Sequence, residues 1–283
     1  MAIKVILMDI DGTLANSDKT ISPKTIEALK KAQEAGATLV LASGRPDQGC
    51  SYFADLLDMK KHNGLYVCFN GAMVMNCQTN EILFNQCMSV EESKEVLEHL
   101  KKFDVVPMVS KGEYMYVNNV FNDTIQYKGN TFRVMEYESR SNHYKLCEID
   151  DLAAWCDFGI NKLLTYGEPQ YLQDHYQEMA APFEGRLNSM FTADFYYEFT
   201  AKGVDKAKAI AYAIESQGFK KDEMIAFGDA ENDYTMLKYA GVAVAMGNAK
   251  SALKEVADYV TTSNDEDGIA LALYKYMPEV FGE

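Results

Sequence analysis

Residues 3–14, Ile-Lys-Val-Ile-Leu-Met-Asp-Ile-Asp-Gly-Thr-Leu, form a short apolar run that stops abruptly at Asp9-Ile10-Asp11-Gly12-Thr13. A run of this length, bounded by turn residues, reads as a buried strand. Ser22-Pro23 then opens a helix with Pro in its first turn, and apolar residues recur at Ile26, Leu29 and Ala32 until Gly36. That spacing buries one helix face. Thr38-Leu39-Val40-Leu41-Ala42 is a second strand, delivering Ser43-Gly44-Arg45-Pro46 to the loop behind it. Residues 65–69 form a third, closed by Asn70-Gly71-Ala72, with Met73-Val74-Met75 as a hairpin arm. Strand, helix and strand in alternation predict parallel pairing and an α/β fold.

The pattern changes from about Phe84 to Asn188. Ser89-Val90-Glu91-Glu92 spells a capping box for a helix running to about Phe103, and polar and aromatic residues alternate in Tyr114-Met115-Tyr116-Val117. Residues 162–166 read as a strand, Glu168-Pro169 opens a helix to about Ala180, and residues 190–199 are strand-like. This stretch is expected to be an α+β insert. Alternation then resumes: a helix over 204–217, a strand over 223–227, a helix over 234–239 and a strand over 242–246. Helices near Ala249 and Ile269 flank a last strand at 258–261. The predicted division is therefore a first core segment at 1–83, an inserted domain at 84–189 and a second core segment at 190–283. A chain of 283 residues exceeds one typical domain, which agrees with two units.

Charge narrows the function classes. The chain holds 27 Lys and Arg against 42 Asp and Glu, a net of -15, which repels nucleic acids and anionic membranes. No apolar segment is long enough to span a bilayer, and Asp9 and Asp11 interrupt the apolar run at the amino end, so a cytoplasmic location is expected. Cys50, Cys68, Cys77, Cys87, Cys147 and Cys156 show no Cys-x-x-Cys spacing, and the four histidines are scattered. Neither a zinc site nor a redox pair is indicated, and reduced, mostly buried thiols are expected.

The candidate chemistry lies where predicted strands end. In an open parallel sheet, ligands bind outside the carboxyl ends of the strands. Asp9 and Asp11 are placed there, and crowded carboxylates call for a cation or a proton between them. Gly12 can adopt backbone angles that let its N–H hold an anion at the turn. Gly228-Asp229-Ala230-Glu231-Asn232-Asp233 puts a second acidic cluster at another strand end, where Asp229 can complete an oxygen shell with Asp9. Carboxylates with carbonyls and waters suit magnesium. Ser43 and Gly44 offer a hydroxyl and backbone donors, and Lys202 precedes a helix start from which its ammonium could reach an anion. Each feature has a plain alternative: an acidic turn, a helix cap, a solvated lysine. An anionic phosphate beside a metal is what unites them.

Asp9-x-Asp11-Gly12-Thr13, then Ser43, Lys202 and Gly228-Asp229-x-x-Asn232-Asp233, resemble the motifs of the haloacid dehalogenase superfamily. Ala42-Ser43-Gly44-Arg45, Asn70-Gly71-Ala72, Met246-Gly247-Asn248-Ala249 and the insert resemble its Cof-like phosphatases. The resemblance spans the chain and implies a Rossmann-like core with an α/β cap that closes over it and selects the substrate. It implies Asp9 as the nucleophile forming an aspartyl phosphate, and Asp11 as the acid and then the base. Magnesium would be held by Asp9, Asp229 and the Asp11 carbonyl. Ser43 and Lys202 would hold the transferring oxygens, with Asn232 nearby and Asp233 orienting the lysine. Ser43 stands where the family often has Thr, and Ala230 where Gly is frequent. No role follows for Arg45, and the aromatics at Tyr114, Tyr116, Trp155 and Tyr166 fit either cap core or a substrate-facing side. The expected activity is a magnesium-dependent phosphatase of small phosphorylated metabolites, with sugar phosphates foremost. A phosphomutase and a non-catalytic phosphometabolite-binding regulator are the alternatives, and oligomeric state is left open.

Overall fold

The computed structural model describes residues 2–215 and 217–282, with nothing described of the Glu215 side chain. Its contacts divide the chain into a core unit, Met1–Asn85 with Asp205–Glu283, and an inserted unit, Gln86–Val204.

The core strands are β1 (Val5–Met8), β2 (Thr38–Ala42), β3 (Leu65–Cys68), β4 (Met73–Asn76) and β5 (Ile82–Asn85) from the first segment. Between the segments the insert supplies β6 (Val106–Lys111), β7 (Tyr114–Val117), β8 (Thr124–Tyr127), β9 (Asn130–Arg133), β10 (Lys145–Glu148), β11 (Lys162–Tyr166), β12 (Leu187–Ala193) and β13 (Tyr196–Ala201). The second core segment adds β14 (Met224–Gly228), β15 (Val242–Ala245) and β16 (Tyr259–Val260). The core sheet runs β16-β15-β14-β1-β2-β3-β4-β5. It is parallel from β16 to β3 and then turns back through the antiparallel pair β4 and β5. β1 and β14 are buried at every position, as strands covered on both faces must be. Their shared register, Met8 opposite Phe227, carries Asp9 and Asp229 out of the sheet side by side.

The helices follow their local signals. α1 (Pro23–Glu34) starts with Ser22, whose hydroxyl accepts from the Thr25 N–H, and presents Ala28, Leu29 and Ala32 to the interior. α2 (Asp47–Leu56) follows the Ser43-Gly44-Arg45 loop. The helix predicted over 204–217 is α7 (Lys206–Glu215); Ser216, within that prediction, lies outside the described residues.

In the insert, α3 (Val90–Leu100) forms both bonds of the Ser89–Glu92 capping box. With α5 (Leu152–Trp155) and α6 (Pro169–Ala180) it covers one face of the sheet β10-β7-β6-β11-β13-β12, through Val109, Leu163, Tyr197 and Phe199. Alternation turns Met108, Tyr166 and Tyr196 to the other face, which packs on the β8–β9 hairpin and α4 (Val134–Asn142). Tyr166 is thus core, Tyr116 and Trp155 stack with ring centroids 4.3 Å apart, and Tyr114 is exposed.

The second boundary differs from the predicted one at residue 190. β13 pairs along its length with β11 and β12, so the strand-like stretch closes the insert's sheet, and the chain rejoins the core at Asp205. Among the described residues no helix is long and apolar enough to cross a membrane.

Candidate active site

β1, β2, β3 and β14 end on the same side of a parallel sheet, and their loops bring together residues far apart in sequence. Asp9, just past β1, is buried at 5 % exposure. Its Oδ1 accepts a hydrogen bond of 2.6 Å from the Nζ of Lys206, which donates a second of 2.6 Å to Oδ1 of Asp233. Lys206 and Asp233 are both fully enclosed. The other oxygen of Asp233 accepts the N–H groups of Asp229 and Ala230, at 3.0 and 3.1 Å. Asp233 therefore holds the lysine and its own loop at once. Burial opposes the charge on Lys206, but Asp233 and Asp9 outweigh it and hold the ammonium well above its ordinary pKa.

This lysine is not the one expected. Lys202 belongs to the inserted unit, is exposed, and donates to the Gly185 carbonyl at 2.8 Å. The missed signal is periodicity: Lys206, Ala209, Ile210, Ala213 and Ile214 are all buried, with spacings of three, one, three and one. Lys206 sits on the apolar face of α7, and a cation there needs carboxylate partners.

Asp229 lies opposite Asp9. Its Oδ1 accepts from the Thr13 hydroxyl at 2.8 Å, an orienting contact that sequence reasoning did not single out. Gly12 has φ of +86°, and a Cβ there would come within 2.5 Å of Asp229 Oδ2. The glycine is needed so that this carboxylate can approach.

Carboxylate oxygens of Asp9, Asp229 and Asp233 lie within 4.8 Å of one another, a group able to hold a metal ion. Asp233 has both oxygens engaged, which leaves Asp9 and Asp229 as the side chains fitted to one. Burial pushes Asp229 up to about 6 and Asp9 well above the usual carboxylate range, in each case against a donor, Thr13 or Lys206, that pulls the other way. A buried and a half-buried carboxylate that resist ionising together are relieved by a divalent cation, and an all-oxygen donor set suits a hard one.

Asp11 stands beyond the end of β1 and is held by cations of its own. Its carboxylate accepts Arg45 Nε at 2.7 Å and Nη2 at 2.9 Å, and Lys19 Nζ at 3.1 Å. Burial works against its charge, yet Arg45 first and Lys19 second hold it down to about 2. The crowding with Asp9 that was expected to keep Asp11 protonated is replaced by two cations.

The loop after β2 supplies the anion-facing side. Ser43 is buried, its hydroxyl accepts the Arg45 N–H at 3.2 Å, and its own hydrogen is left to donate. Gly44 lies against Asn70, whose side-chain Oδ1 would be 3.1 Å from a Cβ there. Asn232 donates to that same Oδ1 at 3.0 Å, so it meets Asn70 across the mouth of the site.

Strand-end carboxylates around a buried ammonium suit an enzyme acting on an anionic, metal-assisted substrate. The chain belongs to the haloacid dehalogenase-like hydrolases, whose family profile matches residues 6–273. A haloacid dehalogenase-like hydrolase from Bacteroides thetaiotaomicron superposes with a TM-score of 0.89 at 31% identity, covering 96% of this chain and 99% of the other. A sugar phosphatase of subclass IIB superposes with a TM-score of 0.74 at 26% identity, covering 97% and 99%. The pyridoxal phosphate phosphatase YbhA of Escherichia coli is 27% identical, over 98% of this chain and 100% of its own. The chain is thus a hydrolase of this family.

Proposed function

We propose that this hydrolase is a Cof-like phosphatase that cleaves phosphate monoesters of small metabolites, sugar phosphates foremost, through a phosphoryl group carried on Asp9. The observation that carries the reading is the Asp9–Lys206–Asp233 chain beside Asp229. It presents one carboxylate oxygen of Asp9 next to a fixed positive charge, where phosphoryl oxygens would be drawn. Similarity to a sugar phosphatase and to a pyridoxal phosphate phosphatase supports the substrate class: metabolites whose phosphate leaves from a carbon-bound oxygen.

In the first step an Asp9 oxygen forms a bond to phosphorus as the bond to the leaving oxygen breaks, and the Asp11 carboxyl, once protonated against the pull of Arg45 and Lys19, gives that oxygen its proton. In the second, Asp11 takes a proton from water as the water oxygen bonds to phosphorus, the Asp9–phosphorus bond breaks and phosphate departs. Lys206 and the Ser43 hydroxyl hold the transferring oxygens, with Gly44 and Asn232 beside them; Asp233 aims Lys206, and Thr13 aims Asp229. Magnesium, held by Asp9, Asp229 and the Asp11 carbonyl, would offset the repulsion between anionic nucleophile and anionic phosphate. Membership of a hydrolase family and similarity to proteins named phosphatases favour hydrolysis over a mutase, and the retained Asp11 argues against a pure binding protein. The six free cysteines fit a reducing, cytoplasmic setting.

The test is phosphate release from sugar phosphates, nucleotides, and flavin and pyridoxal phosphates, with magnesium or with chelator, for the wild type and Asp9→Asn. Magnesium-dependent release absent from the variant is expected. Silence across the panel, or an isomeric phosphate ester as product, would contradict the reading.

A further inference from the structure

Two features of the core take no part in the steps above: Arg45, and the Phe69-Asn70-Gly71 turn after β3. They are one construction. Phe69, Asn70 and Gly71 all have positive φ, 53°, 58° and 101°, a conformation that costs roughly 1–3 kcal/mol for each residue other than glycine and survives only where the surroundings impose it. The backbone supplies that imposition. The Phe69 N–H donates to the Arg45 carbonyl at 3.0 Å, and the Asn70 N–H to the Ser43 carbonyl at 2.9 Å. A Cβ on Gly71 would fall 2.3 Å from the Asp205 carbonyl oxygen, so the turn is pressed against the residue that precedes Lys206.

The turn thereby fixes the backbone of Arg45, and the Phe53 ring, 5.3 Å from the guanidinium carbon, supports its head. From this seat the guanidinium reaches Asp11 with two parallel bonds, Nε to Oδ2 and Nη2 to Oδ1. Such a fork fixes the plane and direction of a carboxylate, which one ammonium cannot do. Lys19, the other partner of Asp11 among the described residues, is an exposed side chain on a single oxygen, and the Asp11 side chain is itself 41 % exposed. Arg45 is what gives Asp11 a defined orientation.

We propose that Arg45 is the positioning residue for Asp11, braced by the 69–71 turn, and that it directs the Asp11 carboxyl at the leaving oxygen. The inference rests on the phosphatase reading. When Asp11 carries its proton, one oxygen remains to accept from Arg45 while the other faces the leaving group. When the proton has gone, both oxygens return to the fork, as in the present structure. The Arg45 guanidinium acts here through its fork on Asp11, and the hydrogen bonds that join Asp9, Lys206 and Asp233 do not include it.

The experiment compares the pre-steady-state burst of phenol or nitrophenol from phenyl phosphate and para-nitrophenyl phosphate, with magnesium present. Nitrophenolate leaves without a proton and phenolate needs one. General acid catalysis is worth about 10²–10⁴-fold, so Arg45→Ala is expected to slow the phenyl phosphate burst about 10–100-fold and the para-nitrophenyl burst less than about threefold. Arg45→Lys keeps the charge without the fork and is expected to show the same selective loss, which secures the result if the alanine variant does not fold. In an Asp11→Asn background, Arg45→Ala is expected to add nothing. Equal losses on both esters, no loss on either, or a full additional loss in the Asp11→Asn background would overturn the proposal. A wild-type protein that turns over neither ester would overturn the phosphatase reading, and this inference with it.

Discussion

In the core unit the ammonium of Lys206 is fully buried between Asp9 and Asp233, whereas in the inserted unit Lys101, Arg140, Lys145 and Arg186 form their ion pairs at the surface. Surface pairs contribute about 0–1 kcal/mol, so those of the insert can be exchanged at little consequence. Burying charge is costly, and apolar replacement of a buried triad is often neutral or stabilising, so stability gives the core no reason to keep one. Its placement at the strand ends gives a chemical reason. The insert instead buries aromatic surface: Phe199 packs edge-on against Phe183 and Tyr197, and Tyr166 anchors the opposite face by donating its hydroxyl to the Asn122 carbonyl. Its closest counterpart to the core triad is Glu198, buried with Lys162 at 3.4 Å.

The contrast is broken most directly at its two lysines. Lys206→Met leaves Asp9 and Asp233 buried without their cation, and removing one partner of such a group costs about 3–5 kcal/mol. Chemical denaturation should show that loss, and phosphate release should fall by at least about 100-fold, the scale on which a fixed charge in a closed site acts. Lys202→Met removes one exposed bond to Gly185, so its stability should stay within about 0.5 kcal/mol of wild type and its phosphate release near wild type. A Lys202 variant that loses activity while the Lys206 variant keeps it would reverse the assignment.

A smaller effect sharpens the metal side. Asp229, raised to about 6, and Asp9, raised further, bind protons in the folded chain at pH values where the unfolded chain has released them. A carboxyl raised on folding lowers stability as pH rises through the interval between its unfolded and folded values, here from about 4 upward. On the proposed function, magnesium would take the place of those protons. The rise in melting temperature on adding magnesium should therefore grow between about pH 5 and pH 8, as expected where metal and proton compete. A rise that is flat or shrinks with pH would show that the metal sits elsewhere.

The core was readable from sequence because its signals are local. β2 and α8 (Tyr234–Tyr239) fall where apolar runs and turn residues put them, and Asp9 and Asp229 come together as expected because each directly follows a strand. What the sequence hid was carried by distance or by face. Lys202 and Lys206 both flank the start of α7, and only the buried spacing along that helix tells them apart. The bond between Arg45 and Asp11 joins positions 34 apart in sequence and depends on a left-handed turn a further two dozen residues on. The end of the insert was misplaced because β13, read locally, could equally belong to the core. Its antiparallel partners β11 and β12 decide the matter.

The most direct measurement is to quench the wild-type protein during turnover of a phosphate ester with magnesium, digest it in acid and map any phosphoryl adduct by mass spectrometry. The account predicts an adduct on the peptide that contains Asp9, absent from Asp9→Asn. Steady release of phosphate with no adduct on that peptide, or with one on another residue, would contradict it.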